Sequence, residues 1–213
     1  AGTLLINGSS TAFSAVSVDG GSLGGAGTIN GTVTIGVTSD SFHTAGSTAT
    51  ATSGDAATQT ITNTLTYGNN ATVSWDIISN SSGAIPAGQY DQFNLTTGTG
   101  DLAFGSELGL NIHFGSDVEL NDAFWNANLN EWLVWDTGQD ETTLVSSLTA
   151  VIATPSNPSY SNAFRLQAGA EYDTSQAAVN GVWLVQSAAI PEPSTFALIG
   201  LGLAGFAWHT RRR

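Results

Sequence analysis

Two stretches of one pattern, Ser14-Ala15-Val16-Ser17-Val18 and Gly31-Thr32-Val33-Thr34-Ile35, decide the fold because they lie 17 residues apart. In each stretch apolar residues alternate with Ser or Thr, and this period of two predicts a short β-strand. Glycine-containing turns such as Asn30-Gly31 separate the strands. A strand that recurs at a coil-length spacing is typical of a solenoid, in which each coil stacks on the next. We therefore predict an all-β fold, with the end of a parallel β-helix or solenoid in residues 1–37.

The rest of the chain predicts a loop and then further strands. Residues 38–57 are rich in Ser, Thr, Ala and Gly, which favours a loop. In residues 71–77, Ala, Val, Trp and Ile alternate with Thr, Ser and Asp, so we expect one apolar and one polar strand face. No alternation of strands with helices is present, which argues against a parallel α/β sheet. We predict that residues 58–187 form a β-rich cap with a helical turn at Asp122–Trp125. The Trp-rich segment 124–135 is expected to cover the last layer of the core. The predicted strands of the cap include Tyr90–Leu95, Leu108–Phe114, Glu131–Trp135 and Val182–Gln186.

The first coils also resemble a known repeat. The resemblance lies in the runs Gly2-Thr3-Leu4-Leu5-Ile6-Asn7-Gly8-Ser9, Ala15-Val16-Ser17-Val18 and Leu23-Gly24-Gly25-Ala26-Gly27-Thr28-Ile29-Asn30-Gly31. This pattern is similar to the autotransporter-associated β-strand repeat, which builds right-handed parallel β-helices in exported bacterial proteins. The resemblance implies that further repeats precede Ala1, and an opening without Met fits a fragment or a processed form.

Charge is distributed very unevenly along the chain. Three of the four cations are Arg211, Arg212 and Arg213, so residues 1–189 contain only Arg165 against sixteen acids, a formal net charge of 1 − 16 = −15. Nucleic-acid binding depends on cations that displace counterions from phosphates, so this balance excludes it as a function. The chain has no Cys and therefore no disulfide framework.

Two acidic clusters are the candidates for a calcium site or a catalytic pair of carboxylates. Asp117, Glu119 and Asp122 lie close in sequence, as do Asp136, Asp140 and Glu141. Oxygen ligands of this kind bind Ca²⁺, and carboxylate pairs hydrolyse glycosides, but neither cluster follows a known calcium loop. We therefore favour solvated loop carboxylates and expect no metal, no cofactor and no catalytic residue.

Two histidines and seven aromatic residues are the candidates for a metal site and for a sugar-binding site. His43 falls in the predicted loop and His113 in a strand, and two separated histidines without Cys make a zinc site improbable. Seven aromatic residues could stack on sugar rings if they were exposed, although core packing is their ordinary role on alternating strands. Trp132 and Trp135 are three residues apart and are not expected to share a strand face. The seven are Trp75, Tyr90, Phe93, Trp125, Trp132, Trp135 and Trp183.

The C-terminal 24 residues form a tail of three parts. Pro191-Glu192-Pro193 keeps the chain extended, because proline fixes φ and removes a backbone donor. The thirteen uncharged residues from Phe196 to Trp208 reach about 20 Å as a helix, short for a hydrocarbon core of about 30 Å. Snorkelling Arg side chains extend that reach, and the Arg211–Arg213 cluster is expected to stay in the cytoplasm. We predict one short C-terminal membrane helix with residues 1–190 outside.

The three parts, in this order, resemble the PEP-CTERM sorting signal of Gram-negative bacteria over residues 190–213. The resemblance implies export, anchoring in the inner membrane before processing, recognition by the membrane enzyme exosortase, and then release to the cell surface or the extracellular space, often alongside exopolysaccharide in biofilms. It also implies that the protein is a substrate of that enzyme and not itself an enzyme.

Together these features predict an exported structural or adhesive surface protein. Its parts would be the repeat (1–37), a loop (38–57), a β-rich cap (58–187) and the sorting signal (188–213). The alternative is a β-helix polysaccharide lyase or hydrolase that uses carboxylates among Asp117, Glu119, Asp122 and Asp136, or a carbohydrate-binding module. Arg165 would then be the one cation before the tail able to neutralise a substrate carboxylate.

Overall fold

The computed structural model describes residues 2–11, 13–46, 56–82, 88–95, 101–115, 117–118, 123–126, 130–138, 150–155, 164–171 and 179–186. These ranges contain sixteen strands and one four-residue helix. The strands are β1 (Thr3–Leu5), β2 (Val16–Val18), β3 (Ser22–Gly24), β4 (Thr28–Ile29), β5 (Val33–Ile35), β6 (Ser41–His43), β7 (Thr58–Ile61), β8 (Leu65–Tyr67), β9 (Ala71–Ile77), β10 (Gln92–Asn94), β11 (Leu102–Phe104), β12 (Glu107–Phe114), β13 (Glu131–Asp136), β14 (Ala150–Pro155), β15 (Phe164–Glu171) and β16 (Val179–Gln186), and the helix is α1 (Ala123–Asn126).

The strands form three sheets that the chain visits in rotation. Sheet 1 has the order β1-β3-β6-β9-β12-β14, sheet 2 the order β15-β16-β13-β10-β7-β4, and sheet 3 the order β11-β8-β5-β2. From β3 to β13 the chain passes from sheet 1 to sheet 2 to sheet 3 and back, and each strand pairs parallel with the strand one passage earlier. The later strands depart from this rotation, because β14 belongs to sheet 1 and β15 and β16 both belong to sheet 2. The observed fold is therefore all-β, as predicted.

The register confirms the 17-residue spacing on which the prediction was built. Val16 pairs with Val33 and Val18 with Ile35 in the parallel ladder of β2 and β5. The next strand of sheet 3 repeats the match, because Val33 pairs with Leu65. The alternation of apolar with Ser or Thr residues thus places like side chains above one another, and the apolar column packs into the core.

The prediction of a loop over residues 38–57 is wrong near its start. Residues 41–43 form strand β6, which pairs with β3 and β9 and so continues sheet 1. Its pattern is inverted, because Ser41 and His43 are buried and Phe42 is exposed. A strand that buries polar residues gives no apolar period of two, so the sequence pattern could not reveal it. Residues 47–55 lie outside the described part of the chain.

The apolar face predicted for β9 is confirmed, but its polar face is not solvated. Ala71, Val73, Trp75 and Ile77 are all buried in the main core. Ser74 and Asp76 are only 3% and 2% exposed. The segment that precedes β10 covers this end of the strand, since the Asp91 N–H donates to the Asp76 carbonyl over 3.0 Å.

The end of the fold near β13 is closed by aromatic side chains. β16 pairs antiparallel with β13, and β15 pairs antiparallel with β16, so an antiparallel pair ends sheet 2. Trp125 of α1 stacks on Trp132 at 5.8 Å between ring centroids, and Phe164 of β15 lies 6.1 Å from Trp132. The helical turn and the strands expected around residues 90–95, 108–114, 131–135 and 182–186 are confirmed.

The first corner is the name we give to residues 25–27 between β3 and β4 together with the described parts of the connections from β6 to β7, from β9 to β10 and from β12 to β13. Those parts are residues 44–46, 56–57, 78–82, 88–91, 115, 117–118, 123–126 and 130. Within the described ranges, no helix is long and apolar enough to cross a membrane. The predicted C-terminal helix lies beyond those ranges.

Close packing at the first corner leads to a stability prediction. A Cβ added at Gly27 would lie 2.1 Å from the carbonyl oxygen of Gly8 and 2.6 Å from that of Ile6, in the coil beside it. We expect Gly27→Ala to lower the free energy of unfolding by about 1–3 kcal/mol, because the two backbones must move apart. Gly8→Ala is the matched control, since its Cβ would meet nothing within 4 Å. Urea denaturation of both variants checks this, and equal midpoints would contradict the stacking.

Candidate functional site

The predicted sorting residues all lie beyond Gln186, the last residue that the structure describes. The sorting motif, the ends of the membrane helix and the cytoplasmic cluster are therefore outside the described residues. The structure does show how the chain is held immediately before them. The predicted site residues concerned are Pro191, Glu192, Pro193, Phe196, Trp208, Arg211, Arg212 and Arg213.

Gln186 is fixed by hydrogen bonds from its backbone and its side chain. Its N–H donates to the Asn130 carbonyl over 2.9 Å, and its Nε2 donates to the Trp125 carbonyl over 2.8 Å. Asn130 Nδ2 donates to Gln186 Oε1 over 2.9 Å and to the Phe124 carbonyl over 2.6 Å. Gln186 is only 1% exposed, so the amide pair of Gln186 and Asn130 is a buried anchor between β16, α1 and β13.

The anchor lies beside the first corner. Antiparallel pairing places Val185, next to Gln186, opposite Glu131 at the start of β13. Trp125 Nε1 donates to Asn80 Oδ1 over 2.9 Å, and Trp132 Nε1 donates to the Ser81 carbonyl over 2.5 Å. Gln186 thus lies next to the connections that follow β9 and β12.

The aromatic residues considered for sugar binding are buried. Each is at most 2% exposed, so core packing is their role in this structure. The expectation that Trp132 and Trp135 would point to different faces is wrong, since both lie in the main core. Leu133 pairs with Trp183 and Trp135 with Val182, so β13 has a bulge that rotates the later residues. The seven side chains are Trp75, Tyr90, Phe93, Trp125, Trp132, Trp135 and Trp183.

Of the two acidic clusters, the structure describes only Asp117 and Asp136. Asp117 is exposed after β12, and Asp136 ends β13, where burial raises its pKa above the ordinary value. Arg165 is exposed on β15. Across the described ranges, no group of three or more His, Asp or Glu side chains could hold a metal ion. Glu119, Asp122, Asp140 and Glu141 lie outside those ranges.

A different pair of acids, Asp76 and Asp91, is buried at the first corner. Asp91 accepts hydrogen bonds from the Ala57 N–H at 3.0 Å, and from the Asp76 N–H and Thr44 Oγ1 at 3.3 Å each. Burial, together with the neighbouring charge of Asp76, raises the pKa of Asp91 well above its ordinary value. The pair ties consecutive connections of this corner together, and its full burial closes it to a polymeric substrate.

His43 lies at the centre of a hydrogen-bond chain that crosses the core. Gln59 Nε2 donates to the Gly25 carbonyl over 3.0 Å, so Gln59 Oε1 faces His43 Nε2 at 2.7 Å and accepts a hydrogen bond from its N–H. His43 Nδ1 then accepts from the Tyr67 hydroxyl at 2.7 Å, and Trp135 Nε1 donates to the same hydroxyl over 3.2 Å. The chain joins all three sheets and holds His43 as one neutral tautomer. It was not predicted from the sequence.

This chain predicts a pH effect on stability. Burial lowers the pKa of His43 from 6.5 to about 4. His43 binds a proton in the unfolded chain at a pH at which the buried side chain in the folded protein stays neutral. The free energy of unfolding therefore decreases as pH falls from 6.5 towards 4. We expect the parent protein to lose about 2–3 kcal/mol more between pH 7.5 and pH 4.5 than the variant His43→Asn.

Urea denaturation at both pH values measures this difference. Asp91 has the opposite effect on stability. Its raised pKa means that Asp91 binds a proton more readily in the folded protein than in the unfolded chain, so the stability that it contributes is lost as pH rises. That contribution cancels in the comparison of the parent with His43→Asn. His113→Asn is the control, with a smaller expected difference, because His113 is less completely buried than His43. Equal pH slopes for the parent and His43→Asn would show that His43 protonates freely.

Comparison with known proteins identifies the tail. No curated protein and no solved structure matches the chain. Residues 189–213 match the family model described as the PEP-CTERM protein-sorting motif. The chain therefore carries a sorting motif of the kind that the membrane enzyme exosortase recognises, and this motif indicates an exported protein of a Gram-negative bacterium with a membrane-anchored C-terminal signal.

Proposed function

We propose that this is a structural or adhesive protein of the cell surface or extracellular matrix, delivered by C-terminal processing. The observation that carries the proposal is the PEP-CTERM motif at residues 189–213, which follows directly on an all-β fold. In this proposal the protein is the substrate of exosortase and performs no catalysis of its own.

The fold in this proposal is the end of a β-solenoid. Support comes from the rotation of the chain through three parallel sheets and from the ladder of Val16, Val33 and Leu65. Such coils contact only their neighbours, so the outer end of the last coil needs a cover, and the aromatic cluster around Trp132 supplies one. The similarity of the first coils to the autotransporter-associated repeat supports the same assignment.

The opposite end is suited to further coils. β1 and β2 are the edge strands of sheets 1 and 3 there, and Leu4 and Leu5 are 47% and 43% exposed. β4 of sheet 2 is covered by the segment around Ser9, since the Thr28 N–H donates to the Gly8 carbonyl over 2.8 Å and the Ser10 N–H donates to the Thr28 carbonyl over 2.9 Å. No charged residue occurs among residues 1–18. Charged side chains commonly protect an exposed sheet edge against pairing with another strand. Because this edge has no charged side chains, a further β-coil can stack on it.

The burial of the aromatic residues and of the Asp76–Asp91 pair supports this proposal over a polysaccharide-active enzyme. A lyase or hydrolase needs accessible carboxylates in a groove where sugar rings can stack. The long connections of the first corner offer a surface for adhesion instead, since insertions in repeat proteins gather on one face. Exopolysaccharide remains the proposed partner of this surface.

Deletion of residues 196–213 tests the proposed route to the surface. We expect the membrane-associated fraction of the precursor to fall at least about tenfold, because the apolar segment and its arginines supply the attachment. Fractionation of cells that lack the processing enzyme measures this. The control replaces Pro191, Glu192 and Pro193 by Ala and should stay in the membrane fraction. If the truncated chain sediments with membranes as the parent does, the anchor lies elsewhere.

A further inference from the structure

The interior layer of the first described coil is exposed on one side. Leu4, Val16 and Val18 pair with residues of the next coil that are fully buried, so they point to the interior of the fold. Leu4 is nevertheless 47% exposed, and Val16, Val18 and Ile6 are only partly buried. At the other end of the stack, Trp132 and its neighbouring rings cover the core. We call the layer of Leu4, Ile6, Val16 and Val18 the open end.

The backbone of β1 has one side turned towards this open end. Within the described residues β1 pairs with β3 alone. The Gly2 carbonyl and the Ile6 N–H each bond to β3 over 2.9 Å. Successive residues of a strand turn their N–H and C=O groups to opposite sides, so Leu4 also bonds towards β3. The backbone groups of Thr3 and Leu5 therefore face away from β3.

A two-fold axis through Leu4 pairs these backbone groups with each other. Two antiparallel copies of β1 centred on Leu4 place Thr3 opposite Leu5 of the second copy, and a pair of this kind exchanges both of its N–H···O bonds. The symmetry repeats the exchange at the other pair. Leu4 then lies opposite Leu4 of the second copy in a non-hydrogen-bonded pair, in which the two side chains are closest. The edge of β1 is thus complementary to itself.

Electric charge limits which partner can approach the open end. Residues 1–18 hold no charged residue, whereas residues 19–189 hold sixteen acids and one Arg. The nearest acid in sequence, Asp19, accepts the backbone N–H groups of Thr38 and Ser39 at 2.8 Å each, so its carboxylate is held against the following coil. Two copies of this chain repel each other over most of their surface, but at the open end they meet without facing like charges.

We infer that the open end is the interface of a symmetric homodimer, in which β1 of one copy pairs antiparallel with β1 of the second. Sheet 1 then continues across both copies, and each open end covers the other. The aromatic cover at the other end of the stack prevents head-to-tail stacking, so the assembly closes at two copies. The inference rests on the proposed structural role and names the partner that stacks on this edge, a second copy of this chain.

Sedimentation of the 213-residue chain in a nonionic detergent tests the inference. We expect a monomer–dimer equilibrium between about 1 µM and about 100 µM. Leu4→Glu sets like charges against each other and should raise the dimer Kd at least about tenfold. Phe42→Glu is the matched control, because it adds the same charge to an exposed residue of sheet 1 two strands from the edge. Its Kd should stay within about twofold of the parent value, since salt screens a charge at that distance.

Two further measurements separate a lost interface from a misfolded chain. Mixing Leu4→Glu with Leu4→Lys should restore the dimer, with a Kd at least about fivefold below that of either variant alone. The chain has no Cys, so Leu4→Cys introduces the only thiol. Under mild oxidation Leu4→Cys should form a disulfide-linked dimer at least about tenfold faster than Phe42→Cys, because the two-fold axis places the same residue of both copies within bonding distance.

A chain that stays monomeric over this concentration range overturns the inference and leaves the edge to a preceding coil of a longer chain. Association that Leu4→Glu leaves unchanged also overturns it, because the contact then lies elsewhere, for example in the tail. Equal cross-linking of Leu4→Cys and Phe42→Cys excludes the two-fold arrangement. The proposed function fails on a different measurement, the membrane fraction after deletion of residues 196–213, so the two failures are distinguishable.

Discussion

Replacing Pro191, Glu192 and Pro193 together by alanine is expected to raise the ratio of precursor to mature protein at least about tenfold in cells that carry exosortase. The prolines hold the chain extended, which is the conformation that a processing enzyme can bind. Alanine restores the missing backbone donors and favours helix, so the apolar segment can extend upstream into the motif. The membrane attachment itself should be unchanged.

The control for this prediction is Ser187→Ala, which lies outside the matched residues 189–213. It should mature at the parental rate, which an immunoblot of both species over time measures. Parental kinetics for the triple variant would mean that the match at the C-terminus has no part in processing.

Trp132→Ala is expected to lower the free energy of unfolding by about 3–5 kcal/mol, the range for a buried Trp replaced by Ala. Trp132 is fully buried and lies within 6.3 Å, centroid to centroid, of the rings of Trp75, Trp125, Phe124 and Phe164. Its Nε1 also donates to the Ser81 carbonyl. The substitution thus opens a cavity between the last layer of the core and the aromatic cover.

Phe13→Ala is the matched control, because this aromatic side chain is 88% exposed. Its effect should stay within about 0.5 kcal/mol. Denaturant unfolding of both variants measures the difference. A loss below about 1 kcal/mol for Trp132→Ala would show that the cover does not close the core.

Repetition made the pairing of β2 with β5 predictable. The 17-residue spacing between the stretches that begin at Ser14 and Gly31 reappears as the pairing of Val16 with Val33. A parallel ladder repeats the same side chains at the same level, so its register can be read from the chain alone. The buried face of β9 was predicted differently, from the alternation of apolar and polar residues within residues 71–77.

Strands β6 and β15 were not predicted, for different reasons. β6 buries Ser41 and His43 and exposes Phe42, so its hydrophobic pattern is the reverse of the ordinary one. β15 was also missed, although Phe164, Leu166, Ala168 and Ala170 alternate with other residues there. In that case the signal was present in the sequence and the period of two could have found it.

The sorting signal and the buried network differ in how they are encoded. The signal depends on the linear order of three adjacent parts, so the sequence alone predicts it. The hydrogen-bond chain joins Gln59, His43 and Tyr67 from three different sheets, and their convergence depends on the winding of the chain. The common core of Trp132 and Trp135 depends on a bulge, which period-two reasoning does not anticipate.

The mass of the C-terminal peptide of the mature protein shows whether the tail is a processed sorting signal. The protein should be isolated from the surface or medium of cells that carry exosortase. We expect a C-terminus near Pro191-Glu192-Pro193, with the apolar segment and the arginine cluster removed. A surface protein that still ends at Arg213 would contradict it.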